Sequence, residues 1–388
     1  MLKKWIPIVL ISFLTIQVAN AQSNDEKKWV RKKYNALSFN KKIAQLMIIR
    51  AHSNWDNNKV DSLGALIKKY NVGGLCFFQG GPVREALQTN YYQSIAKTPL
   101  LISMDAEWGV GMRLDSVQMF PRQLSLGAMP ARNLVYEMGA AIAAQCKRLG
   151  IQVNYAPVAD INNNPANPVI NDRSFGQNKK IVTDYSIAYM KGMQAHHVMA
   201  NAKHFPGHGD TSTDSHHTLP VINFDRKRID EVELYPYKEL IKNGLASVMV
   251  AHLSVPSLES RSGYPSSISY NIVTNILKNE LGFEGLIFTD ALNMKGASNF
   301  KQPGDIDLEA FLAGNDVLLF AENVPVAITK FKEAFESGNL TAERLEESVK
   351  KILKFKYKAD LNNYEEVKIT NLYQDLSIEI RCYEFQIV

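Results

Sequence analysis

Eight short apolar runs punctuate this chain at rather even intervals, and a stretch of helical periodicity follows each one. The runs cover residues 46–49, 72–78, 100–105, 152–156, 198–204, 247–252, 285–290 and 317–320. Most are continuously apolar rather than alternating, the pattern of parallel strands covered on both faces. Helical stretches span residues 59–69, 84–96, 132–149, 182–195, 230–242, 271–281 and 306–313. A final pair, 324–337 and 341–356, closes the pattern, with Thr341 placed as a helix cap. Eight strand–helix units predict an α/β fold, a (β/α)8 TIM barrel in one catalytic domain. A doubly wound open sheet is the competing arrangement, but no Gly-x-Gly-x-x-Gly follows the first run. In a barrel, the C-terminal strand ends share one site, which would gather Asp105, Lys203, His204, His252 and Asp290.

The rest of the chain sets the boundaries of that domain. Lys3 and Lys4 precede an apolar stretch from Ile6 to Ile16, and Ala19-Asn20-Ala21 offers the small residues of a cleavage site. Residues 1–21 therefore read as a signal peptide cut after Ala21. The apolar stretch is too short for a comfortable membrane span, so no stable membrane insertion is expected after cleavage. The barrel is expected over 22–360, and 361–388 reads as a C-terminal tail or linker remnant of weak periodicity. An apolar content of 46%, charged content of 21% and net charge of +5 fit a soluble globular enzyme. No basic stripe points to nucleic acid. The three cysteines, Cys76, Cys146 and Cys382, are too far apart for a disulfide framework or a metal-spacing pattern.

Lys203-His204-Phe205-Pro206-Gly207-His208-Gly209-Asp210-Thr211, followed by Asp214-Ser215-His216, crowds proton-transfer groups into a segment that Pro and Gly keep out of regular structure. In Asp214-Ser215-His216 a carboxylate sits two residues before an imidazole, which can hold one tautomer and stabilise the imidazolium. Asp290 ends its apolar run and is either a nucleophile or base aimed into the site, or a cap for the helix that follows. His204, His208, Asp210, Asp214 and His216 are also competent metal ligands. The Pro-Gly break between His204 and His208, however, removes the helical two-ligand face of a zinc hydrolase, and no cofactor or metal is expected.

These motifs, with Ala156-Pro157-Val158-Ala159-Asp160, Arg173-Ser174-Phe175-Gly176 and Phe288-Thr289-Asp290-Ala291-Leu292, resemble family 3 glycoside hydrolases. The likeness is to the β-N-acetylglucosaminidase (β-hexosaminidase) branch and extends over nearly the whole of residues 22–388. It implies a retaining mechanism in which Asp290 is the nucleophile, His216 the general acid/base and Asp214 its partner. Asp105, Arg113, Arg173, Lys203 and His204 match the sugar-binding set. The implied substrate is a β-linked amino-sugar glycan or muropeptide, met in the periplasm or outside the cell. Most retaining enzymes use two carboxylates about 5–5.5 Å apart, so an acid/base His departs from the common rule. A neutral acid/base adds no second negative charge, which leaves a phosphorylase as a sub-hypothesis beside β-glucosidase and metal-dependent hydrolase. Asp105-Ala106-Glu107-Trp108-Gly109 keeps Asp105 but is bulkier after it than the Asp-Gln-Glu-Gly-Gly of many relatives, which leaves the shape of the site rim open.

Overall fold

A computed structural model describes residues 24–377 apart from residues 131 and 215–217. The expected signal segment, His216 and the end of the tail with Cys382 lie outside the described residues. Eight strands form: β1 (Met47–Ala51), β2 (Gly74–Phe77), β3 (Leu101–Met104), β4 (Val153–Asn154), β5 (Met199–Phe205), β6 (Ser247–Val250), β7 (Leu286–Thr289) and β8 (Leu318–Leu319). All neighbours pair in parallel, in the order β7-β6-β5-β4-β3-β2-β1-β8. The two ends then meet, because Phe288 bridges Val317 and the Thr289 N–H donates to the Val317 carbonyl at 3.0 Å. The result is a nearly closed (β/α)8 barrel, the arrangement that the eight apolar runs predict.

Burial explains the continuous apolar character of the runs. Every residue of β2, β3, β5, β6 and β7 is buried, since one face fills the barrel and the other meets helices. Cys76 and Cys146 are both buried free thiols. The helices after each strand are α1 (Asn57–Tyr70), α2 (Pro82–Ile95), α3 (Arg132–Arg148), α4 (Lys179–Ala195), α5 (Tyr235–Lys242), α6 (Asn271–Glu280), α7 (Asp305–Ala313) and α8 (Val324–Glu336), with a further helix at Ala342–Lys358. Asp56 and Asn178 cap α1 and α4 by accepting from backbone N–H groups of the first turn. The Thr341 hydroxyl does the same for the last helix.

Three local features depart from the sequence expectation. The stretch 230–242 is two helices, Arg226–Glu231 and α5, because Pro236 lacks an N–H and sits in a first helical turn rather than a helix interior. α6 is wound as a wider π-helix. Residues 361–377, expected as a tail, dock onto α2 and α3. The side-chain amide of Asn90 donates to Val367 O at 2.9 Å and that of Gln145 to Leu376 O at 2.9 Å. Arg148 pairs with Asp375 at 2.7 Å. Leu372 and Leu376 are buried against the core as well, but one helical turn is too short to carry a period, and amide and guanidinium bonds to backbone leave none, so pattern reading does not detect this docking. Among the described residues no helix is long and apolar enough to cross a membrane.

Candidate active site

The C-terminal ends of the strands surround a cavity of about 530 Å³. Asp105 follows β3, Lys203 and His204 lie near the end of β5, and Asp290 follows β7. These four line the cavity together with Arg113 and Arg173. A larger depression of about 920 Å³ opens at the opposite end, beside Gln194, His197 and Lys354. It collects none of the strand-end carboxylates, so the smaller cavity is the chemical one.

A buried ion network shapes its floor. Lys203 Nζ donates to Asp105 Oδ1 at 2.6 Å and lies 2.8 Å from Glu107 Oε1. Arg113 Nη2 reaches Asp105 Oδ2 at 3.0 Å. Arg173 grips Glu107 through two bonds, Nε to Oε2 at 3.0 Å and Nη2 to Oε1 at 2.7 Å. The Glu107 side chain is 0% exposed. Burial alone would raise the carboxyl pKa values of Asp105 and Glu107, but the adjacent cations outweigh it and hold both below the ordinary carboxylate range. Burial alone would likewise lower the Lys203 pKa, yet Asp105 and Glu107 raise it. Lysine and both carboxylates are therefore ionised at neutral pH, fixed in place as charged partners for sugar hydroxyls.

Asp160 organises the next layer. Its carboxylate accepts the backbone N–H of His208 at 2.6 Å and of His204 at 3.2 Å, and sits 2.6 Å from His204 Nδ1. With Nδ1–H donated to Asp160, Nε2 of His204 faces Arg173 Nη2 at 3.4 Å. Burial and the neighbouring His204 push the His208 pKa down to about 4, so His208 is neutral. Its Nδ1 lies 2.8 Å from the Thr211 hydroxyl. A register shift in the β5–β6 pairing spans Ala202 to Phe205, where Lys203 and His204 leave the regular ladder. Gly209 is needed for close approach: a Cβ there would stand 1.8 Å from the Ile161 carbonyl oxygen. Asp210 anchors the loop from outside, bonded to Arg228 at 3.0 Å.

Asp290 is different in kind. Its Oδ1 accepts the Ala291 N–H at 2.8 Å, and its Oδ2 has no hydrogen-bond partner among the described residues. Burial favours the neutral acid, but His252, His204, the Ala291 N–H and Lys203 together lower its pKa. The capping alternative does not hold, since Met294 occupies the N-cap of the short helix Lys295–Ser298. The result is an ionised carboxylate with an uncommitted oxygen at the cavity. His252, grouped by sequence with the site, is instead fully buried behind it. Its Nδ1 lies 2.7 Å from Ser267 Oγ and its Nε2 is 3.0 Å from the Ala291 carbonyl, so it braces the residue after Asp290.

Asp214 lies half-buried on the loop after β5 and is not among the residues lining the cavity. Sequence reasoning missed Glu107 and Asp160 as site-building residues. The signal was present: each is an acid set in an apolar stretch at a strand end, where an unpaired charge is untenable. The bulkier Ala106-Glu107-Trp108 segment is not among the residues lining the cavity. All three residues are buried, with Glu107 directed to the floor and Trp108 beneath Arg122, 4.1 Å from its ring centroid. Replacing Glu107 by Gln would leave Lys203 and Arg173 short of a buried countercharge. This should cost about 3–5 kcal/mol in denaturant unfolding, and an unchanged midpoint would contradict the network. Because Asp105, Glu107, Asp160 and Asp290 all have lowered pKa values, their stabilisation is complete above the unfolded carboxylate range. It is lost as pH falls through the folded values, below about 4.

Fold and site together define a parallel-barrel protein with an enzyme-like pocket at the C-terminal strand ends. The family model described as glycosyl hydrolase family 3 N terminal domain matches residues 38–355, and the chain belongs to that family. It is 36% identical to Beta-hexosaminidase A of Pseudoalteromonas piscicida over 332 residues, 76% of this chain and 55% of that protein. It is 30% identical to Beta-hexosaminidase LpqI of Mycobacterium tuberculosis, covering 82% of this chain and 83% of the relative. Among solved structures, a glycoside hydrolase family 3 beta-N-acetylglucosaminidase from Paenibacillus sp. str. FPU-7 superposes with a TM-score of 0.80 at 34% identity, over 88% of this chain and 68% of that one. Beta-glucoside phosphorylase BglX bound to 2FGlc superposes at 0.85 with 26% identity, over 90% and 64%. The chain thus spans little more than half the length of the first of these relatives.

Proposed function

We propose that this protein is a retaining exo-β-N-acetylglucosaminidase acting on terminal β-linked N-acetylglucosamine of peptidoglycan-derived or related glycans. The observation that carries the reading is Asp290, an ionised carboxylate whose Oδ2 has no hydrogen-bond partner among the described residues, in the cavity that Asp105, Arg113, Arg173, Lys203 and His204 also line. The relatives named beta-hexosaminidase support the amino-sugar specificity. In the first step Asp290 Oδ2 bonds to the anomeric carbon while the glycosidic C–O bond breaks, and His216 delivers a proton to the departing oxygen. In the second, water gives its proton to His216 and its oxygen to the anomeric carbon, and the Asp290 ester bond breaks. Asp214 orients His216. Asp105 and Lys203, held 2.6 Å apart, would grip hydroxyls of the sugar being transferred. The N-terminal sequence supports export, with the periplasm or exterior as the compartment.

Phosphorolysis is the second reading, favoured by the likeness to a beta-glucoside phosphorylase and by an acid/base that adds no negative charge. Aryl β-N-acetylglucosaminide and aryl β-glucoside, each assayed with and without inorganic phosphate, separate the possibilities. The reading expects the N-acetylglucosaminide to be preferred, with free sugar as product and no phosphate requirement. Glucoside preference overturns the substrate, and a sugar-1-phosphate product overturns hydrolysis.

A further inference from the structure

One helix carries a run of cations that no acid among the described residues neutralises. Residues 24–35 form it, and Lys27, Lys28, Arg31, Lys32 and Lys33 crowd its middle. Its inner face is apolar and aromatic: Val30 is buried, Trp29 meets Tyr357 at 5.7 Å, and the Tyr34 hydroxyl donates to Glu346 at 3.2 Å. Those contacts seat it on the last helix, Ala342–Lys358, and leave Lys27, Lys28, Arg31 and Lys32 exposed. None of the five cations has a carboxylate within ion-pair distance among the described residues. Asp25 is the one exposed acid of this helix. On other helices lysines are countered within a turn, Lys59 by Asp56, Lys242 by Glu239 and Lys350 by Glu346.

Lys27 and Arg31, like Lys28 and Lys32, stand one helical turn apart, so each pair repels and weakens the helix that bears it. Burial and then the charge of Lys32 lower the Lys33 pKa. An arrangement that works against its own helix gains from a negative surface outside the chain. Of the four exposed cations only Lys27 lines the depression beside it, so they form a ridge rather than an enclosed anion pocket. Trp29 and Tyr34 are turned inward, which leaves the ridge without an aromatic platform for nucleic-acid bases. A flat array of headgroup phosphates matches such a ridge, and export, which the N-terminal sequence supports, brings the chain to one. We propose that Lys27, Lys28, Arg31 and Lys32 form a docking ridge for an anionic phospholipid surface, held by charge and without insertion. Lys354 and Lys358, exposed on the last helix around the same depression, add to its field. The depression lies at the barrel end opposite the strand-end cavity, so docking turns the cavity mouth away from the bilayer.

The test sediments the chain from Gln22 onward with vesicles of phosphatidylcholine, alone or mixed with phosphatidylglycerol. The wild type should pellet with the mixed vesicles and not with the neutral ones, and rising salt should release it. Each cation at an anionic surface is worth roughly fivefold in partitioning, so Lys27→Gln/Lys28→Gln/Arg31→Gln/Lys32→Gln should bind on the order of 10²-fold or more weaker. The charge-conserving Lys27→Arg/Lys28→Arg/Lys32→Arg should bind like the wild type, which separates loss of charge from damage to the helix. All three proteins should turn over a neutral aryl N-acetylglucosaminide alike, since none of these residues lines the strand-end cavity. The vesicle result stands whatever glycoside the enzyme prefers. No pelleting of the wild type with mixed vesicles, equal pelleting with neutral ones, or binding that survives in the glutamine variant or at high salt overturns the ridge. Tighter binding to a single-stranded oligonucleotide, lost in the same variant, assigns the ridge to nucleic acid and overturns the membrane reading.

Discussion

Asp290→Ala should lower kcat on an activated aryl β-N-acetylglucosaminide by a factor on the order of 10⁴ or more, the scale of losing a nucleophile. The fold should survive, because among the described residues the carboxylate bonds only its own neighbour Ala291, and it is half-exposed at the cavity. Added azide should restore part of the rate, since the truncated side chain vacates the position from which the anomeric carbon is attacked. The product would be the α-glycosyl azide, one displacement having occurred without a second. Near-normal turnover by the variant, or rescue giving the β-azide, would contradict the assignment. In the wild type, the acid limb of kcat/KM should lie below the ordinary carboxylate range of about 4, because the pKa of Asp290 is lowered.

His216→Ala should separate substrates by leaving group. A disaccharide, whose alkoxide cannot depart unprotonated, should lose roughly 10²–10⁴-fold in kcat/KM, whereas an activated aryl glycoside should lose far less. The basic limb of the wild-type kcat/KM profile should vanish in the variant. Equal losses on both substrates would reassign the residue to binding. Asp214→Asn should follow the same order with smaller effects, because its role passes through the imidazole.

The barrel was legible because its strands are covered on both faces and cannot alternate, so eight continuous apolar runs announce eight strands. Asp105, Lys203, His204 and Asp290 were legible because each ends such a run, and parallel strands deliver their C-terminal ends to one place. What pattern could not supply was pairing across the barrel. Glu107 reads locally as one acid in a loop, while its partners Lys203 and Arg173 belong to distant units. Asp160 likewise shows its purpose only when His204 and His208 fold over it. His252 marks the opposite error: it also ends an apolar run, but the chain continues to Ser267 and Ala291, which enclose it. The docking of residues 361–377 escaped for another reason, since contacts made by Asn90, Gln145 and Arg148 to backbone carbonyls impose no period on the segment that receives them.

The central claim is that Asp290 becomes covalently glycosylated. A 5-fluoro-N-acetyl-β-glucosaminyl fluoride slows breakdown of the intermediate, so peptide mass mapping after brief incubation reads the modified residue directly. The account predicts one added 5-fluoro-N-acetylglucosaminyl group on the peptide containing Phe288-Thr289-Asp290-Ala291, with fragmentation placing it on Asp290. An adduct on another residue, or inactivation-free turnover that releases the α-anomer first, would contradict it.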